Sequence, residues 1–110
     1  MPAPQEYLKG YNLQKGMVLA GHQLESIDLK HETVSTYREY RYPIVMVWKN
    51  ISGSSSKQDL ISALDQHVAA DRVIYTRYGN PYKCHFGNLD HHYQDNDSLV
   101  VNAIGYCHRV

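Results

Sequence analysis

The segment YREYRYPIVMVWKN, residues 37–50, constrains this chain more than any other. It opens with alternating polar and aromatic residues and becomes continuously apolar from Ile44 to Trp48. A short β-branched run of this kind, without helical spacing, predicts a central strand covered on both faces. Such a strand needs neighbours on either side, and the rest of the chain must supply them. With 110 residues, there is material for one core and not for two, so residues 1–110 are expected to form a single domain.

One stretch has the periodicity of a helix. After the small polar patch SGSSSKQ, residues 52–58, the apolar residues Leu60, Ile61, Leu64 and Val68 recur at helical spacing. Ser56 is placed to cap that helix, with Asp59 three residues on. His67 stands beside the apolar stripe and reads as a helix-edge residue. The remaining segments GMVLAGHQ, ESIDLKH, RVIYTRY, PYKCHFG and SLVVNAIGYCHRV read as strands. The expected class is therefore α+β, with an antiparallel sheet packed on a single helix.

Turn geometry turns these strands into expectations about faces. Gly79-Asn80 between RVIYTRY and PYKCHFG suits a two-residue hairpin turn. That turn would set Ile74 opposite His85 and, because side chains alternate, put Arg72 diagonal to His85 on one face. A second two-residue turn at Asp95-Asn96 would set Cys84 opposite Cys107, a place for a cross-strand disulfide. Counted from that turn, the pair falls at a hydrogen-bonded position. The same register puts Tyr106 opposite His85. Arg72, His85 and Tyr106 are thus expected together on one face, with the cysteines on the other.

Composition bounds the function more loosely. Eleven basic and eleven acidic residues balance, so nothing predicts strong non-specific attraction to nucleic acid or anionic lipid. Ten tyrosines against one phenylalanine and one tryptophan suit half-buried strands and recognition surfaces alike. No apolar run approaches the roughly 18 residues of a membrane span, and no membrane partner is expected. Two sequons, Asn50-Ile51-Ser52 and Asn96-Asp97-Ser98, fit a secretory history. The opening MPAPQEY suits either an intracellular start or a mature secreted chain preceded by an initiator Met. Cys84, His85, His91, His92, Cys107 and His108 are soft ligands in number, which raises a zinc-binding module as one alternative. No CxxC or HxxxH pair is present, and the hairpin register separates Cys84 from His85, so no metal or cofactor is expected.

The motifs AADRVIYT and CHFG resemble the corresponding strands of the secreted fungal guanyl-specific ribonucleases and sarcin-type ribotoxins. There an arginine opens a Val-(Val/Ile)-aromatic strand, and the catalytic histidine follows on the next strand. RYPIV, residues 41–45, is similar to the family's Glu-aromatic-Pro-Ile strand, and Cys107 has a counterpart near the family's C-terminus. The resemblance spans residues 37–107 and implies a ribonuclease-like fold. It also implies Arg72 as the stabiliser of phosphoryl charge and His85 as the acid that protonates the leaving oxygen.

The departures carry as much weight. Arg41 stands where the family has its glutamate base, and a permanent cation cannot accept a proton. Glu39 lies two residues earlier on the same strand face and is the candidate substitute. His22 lies at roughly the distance of the family's other histidine but without its Tyr-Pro-His setting. The family's long N-terminal helix and N-terminal cysteine have no match. A kept scaffold with a lost catalytic set resembles the RNase-like effectors associated with haustoria, which powdery mildew fungi secrete into plant cells. That resemblance implies a monomeric pseudoenzyme, freed of its signal peptide, that enters the host cytoplasm. Its expected partners are a host plant protein, an immune receptor or RNA. Tyr40, Arg41, Tyr42, Arg72, His85 and Tyr106 are the expected binding residues, with Cys84 and Cys107 bonded. No complete catalytic set is assigned; the alternative is an endoribonuclease that uses Glu39 and His85 to form a 2′,3′-cyclic phosphate.

Overall fold

The computed structural model describes residues 1–34, 39–54, 56–95 and 97–110, and the side chains of all of these but residues 33 and 34. Tyr37, Arg38 and the expected turn residue Asn96 lie outside the described residues. In chain order the elements are α1 (Pro4–Gly10), β1 (Val18–Leu19), β2 (His22–Leu29), β3 (Glu32–Val34) and β4 (Glu39–Asn50). They continue with α2 (Lys57–His67), β5 (Arg72–Tyr75), β6 (Pro81–Phe86), β7 (Asp90–Tyr93) and β8 (Ser98–Arg109). The class is α+β, an antiparallel curled sheet with two helices. Strands run β1-β2-β4-β8-β6-β5 across the sheet, with β3 paired to β4 and β7 to β8. No described helix is long and apolar enough to cross a membrane.

As its apolar run requires, β4 is central, between β2 and β8. Its even-numbered residues Tyr42, Ile44, Met46 and Trp48 are buried. Its odd-numbered residues are not sealed in the same way, and Val45 is 41% exposed. The expectation of cover on both faces is corrected here. Both helices contribute their buried residues, Tyr7 from α1 and Leu60 and Leu64 from α2, to one core on the even face of β4. One face of the sheet is thus packed, and the other is left without a helix.

The α2 start follows from its sequence. Ser56 Oγ accepts from the Asp59 amide at 3.1 Å, and Asp59 Oδ2 accepts from the Ser56 amide at 3.3 Å. This reciprocal pair satisfies two donors that the helix ladder cannot reach. The second helix, α1, was not expected, because Ala3 at its N-cap position gives no side-chain signal. Pro4 in its first turn and Glu6, whose Oε2 accepts from the Ala3 amide at 2.9 Å, start it instead. Its docking depends on two glycines. A side chain at Gly105 would overlap the ring of Tyr7, and one at Gly10 would meet Ile74 at 2.6 Å.

The two hairpins decide which residues share a face. Between β5 and β6 the loop has three residues, Arg77 to Gly79, closed by Gly79 N–H donating to Thr76 O and Thr76 N–H donating to Asn80 O. Gly79 sits at φ +84°, the left-handed residue that a three-residue hairpin loop needs. Ile74 therefore pairs with Tyr82, and Arg72 with Cys84. The two-residue Gly79-Asn80 turn is corrected, and with it the face of Arg72. Tyr82 is three residues short of His85, an odd shift, so β5 presents opposite side chains to those expected.

The β7–β8 turn is also one residue longer than expected. Gln94 N–H donates to Ser98 O, and Asp95 Oδ1 accepts from the amides of Asp97 and Ser98, both at 2.9 Å. An extra residue between β6 and β7 then compensates, because Asp90 pairs with Asn102 while Phe86 pairs with Gly105. The deviations cancel, and Cys84 stands opposite Cys107 as expected. The pair forms a disulfide with its Cα atoms 4.1 Å apart. Gly87 N–H donates to Ile104 O, so the hydrogen-bonded pairs fall on the odd residues of β6. The cysteines occupy a non-hydrogen-bonded pair, contrary to the count from a two-residue turn.

Candidate functional site

Strand pairing assembles a row of side chains on the open face. Arg41 of β4 pairs with Tyr106 of β8, which pairs with His85 of β6. Glu32 of β3 pairs with Arg41 from the other side. The rings of His85 and Tyr106 stack, with centroids 4.9 Å apart and planes at 16°. Both residues are half-buried, as is Arg41, whose Nε is shielded without a hydrogen-bond partner among the described residues. The next row pairs Glu39 with His108 and His108 with Lys83. Alternation from His85 and Tyr106 reaches Lys83 and His108 directly, so the place of both is legible in the sequence, where His108 figures only as a ligand of the zinc alternative and Lys83 has no role.

Beside Tyr106 a hollow of about 360 Å³ opens, lined by Gly87, Asn88, Asp90, Asn102 and Ile104. A Cβ at Gly87 would meet the Tyr106 ring at 3.1 Å, so that glycine lets the backbone pass close under the ring. The middle of the face is apolar apart from Asn102, with Pro43, Val45 and Val47 of β4 paired to Ile104, Asn102 and Val100 of β8.

The other expected binding residues, Tyr40, Tyr42 and Arg72, are on the packed face. Tyr42 is fully buried and donates to Pro2 O at 2.7 Å. Tyr40 packs edge-on against Tyr82, with centroids 5.8 Å apart. Arg72, paired with Cys84, has its guanidinium 5.4 Å above the Tyr11 ring. That contact is a cation–π interaction inside an aromatic cluster of Tyr7, Tyr11, Tyr42 and Phe86. The expectation that Arg72 shares a face with His85 and Tyr106 is therefore corrected. Arg41 is the arginine that stands in the row of His85.

Burial sets the electrostatics of the packed face. The Tyr7 hydroxyl, which donates to His85 O at 3.0 Å, has its pKa raised far above the tyrosine range by burial first, then by Tyr11 and Tyr42. Burial likewise raises Tyr42 well above that range. Tyr11 is pushed up to about 12 by burial and by Asp71, against the lowering effect of Arg72.

Glu39 shares the open face with His85, but β8 lies between them. Two strand spacings and two residues put their backbones about 12 Å apart. His22 lies on β2, only 4% exposed, and is not part of the row. The disulfide takes both thiolates out of the zinc alternative. Among the described residues no three His, Cys, Asp or Glu gather closely enough to hold a metal ion. No protein-family model, curated protein or solved structure matches this chain.

Proposed function

We propose that the chain is a catalytically inactive, ribonuclease-like binding domain. In this reading it is a secreted effector that acts in a host plant cell and engages RNA through the open face of its sheet. The observation that carries the binding part is the stacked His85–Tyr106 pair with Arg41 alongside, on a face that neither helix covers. Aromatic and guanidinium planes of this kind accept unstacked bases of single-stranded RNA, and the hollow beside Tyr106 gives a base room. Two points argue against catalysis: Arg72 is on the opposite face from His85, and by the resemblance Arg41 stands where the family has its base, which a permanent cation cannot replace. The disulfide suits an oxidising compartment, and the sequons and the resemblance to haustorial effectors support export.

Titration of single-stranded RNA tests the reading. Binding at low salt should weaken as salt rises, and Tyr106→Ala should weaken it by about tenfold, the loss of one stacked base. Arg72→Ala should leave it unchanged. No binding at low salt would remove RNA as the ligand and leave a host protein or immune receptor as partner of the same face. A second reading, an endoribonuclease using Glu39 and His85, rests on those two residues sharing that face. It predicts 2′,3′-cyclic phosphate ends that disappear in His85→Ala; the binding reading predicts none.

A further inference from the structure

The strand β5 ends one side of the sheet, and no described strand lies beyond it. Thr76 N–H donates to Asn80 O, and in the same register Ile74 pairs with Tyr82 and Arg72 with Cys84. Antiparallel pairs alternate, so the even residues of β5 carry the hydrogen bonds to β6. The N–H and C=O groups of Val73 and Tyr75 therefore point outward, where neither residue has a partner among the described residues. Sheet edges are ordinarily blunted by proline, a bulge or a charged side chain. None of these protects β5, because its one charged residue, Arg72, is turned under the sheet onto the Tyr11 ring. On the open face its side chains are apolar and aromatic instead, with Val73 53% and Tyr75 61% exposed.

A groove of about 570 Å³ accompanies this edge. One wall is β5 with Arg77, and the other is α1 through Glu6, Lys9 and Gly10. Gly10 lets the helix close on Ile74, since a Cβ there would meet that side chain at 2.6 Å. An open edge beside such a wall offers an extended segment main-chain hydrogen bonds and a place for alternate side chains. The charges indicate which segment. Glu6 accepts from the amides of Ala3 at 2.9 Å and Arg77 at 3.0 Å, so its carboxylate is already engaged. Lys9 and Arg77 are both exposed, two cations against that one carboxylate. Arg77 donates to the Tyr78 hydroxyl at 2.7 Å, which leaves Lys9 as the leading contact. A second copy pairing through its own β5 would bring another α1 and another Lys9 to the groove, cation against cation. A single free strand suits it better. We propose that the β5 edge takes up an extended segment of a partner protein as an added strand, with an acidic side chain turned toward Lys9. This does not depend on RNA binding, which uses the row on β4, β6 and β8.

The probe is the capped peptide acetyl-Thr-Val-Glu-Val-Thr-amide. Added as a strand, it sets its valines beside Val73 and Tyr75 on the open face and turns its glutamate to the side of Ile74 and α1. Titrated into the full chain at low salt, millimolar peptide should shift the backbone amide resonances of Val73 and Tyr75 saturably. The same peptide N-methylated at both valines keeps its side chains and loses two donors, so its affinity should fall by about tenfold or more. Lys9→Glu, a change at an exposed position, should weaken binding by about fivefold and favour the peptide that carries lysine in place of glutamate. The proposal is overturned if the amides of Val73 and Tyr75 do not respond, or if the N-methylated peptide binds equally well. Equal binding of the glutamate and lysine peptides by both proteins overturns it as well. Sedimentation of the peptide-free chain should show no dimer; one that Tyr75→Lys dissolves would put a second copy at the edge and overturn the proposal.

Discussion

Gly105 lacks a side chain, and the ring of Tyr7 lies in the space that one would occupy. That contact seats α1 on the sheet directly behind His85, whose carbonyl accepts from Tyr7 Oη. Gly105→Ala should therefore displace Tyr7 and cost about 1–3 kcal/mol, typical of an overpacked core. The check is a lower urea midpoint with an unchanged slope. The buried tyrosines give a second test at this scale. Their raised pKa values mean that the folded chain keeps protons which the unfolded chain releases near pH 10. Their contribution is intact below about pH 10 and is lost as pH rises beyond it, at up to about 1.4 kcal/mol per pH unit for each group. A spectrophotometric titration should show Tyr7, Tyr11 and Tyr42 ionising only as the chain unfolds. Which tyrosines these are was partly hidden in the sequence. Tyr42 follows from alternation with Ile44, Met46 and Trp48, whereas Tyr7 and Tyr11 lie on and beside a helix that no Ser, Thr, Asp or Asn cap announces.

At the scale of elements, the strands were legible and their faces only in part. Apolar runs and turn residues mark β4, β5, β6 and β8, because burial and backbone freedom leave direct traces in residue type. Loop length leaves a weaker trace. Gly79 serves a two-residue turn and a three-residue turn equally well, and the difference between them moved Arg72 to the other side of the sheet. The Cys84–Cys107 pairing was reached correctly through two deviations that cancel, a longer turn at Asp95 and an extra residue between β6 and β7. The disulfide closes a loop with a sequence separation of 23 and ties β6 to β8 beneath the His85–Tyr106 stack. Its reduction should cost about 3 kcal/mol by loop-closure entropy. Guanidinium unfolding with and without a reducing agent measures that cost.

The whole molecule is a curled sheet with both helices on one side. The open side keeps an apolar centre around Val45 and Val47, with Arg41, His85, Lys83 and His108 toward one end. A contiguous uncovered face of this composition is what binding surfaces require. That the face is open was not legible, because Ile44 to Trp48 read as a strand covered twice, and a continuous apolar run does not say which layer covers it. That Arg72 is absent from the face follows from a single feature, the register between β5 and β6. The register can be read without any ligand, from close contacts between α-protons of non-hydrogen-bonded partners. The nuclear Overhauser spectrum should show a strong Hα–Hα contact between Val73 and Lys83, which pair here. A contact between Val73 and Phe86 instead would restore the two-residue turn, return Arg72 to the side of His85, and contradict this account.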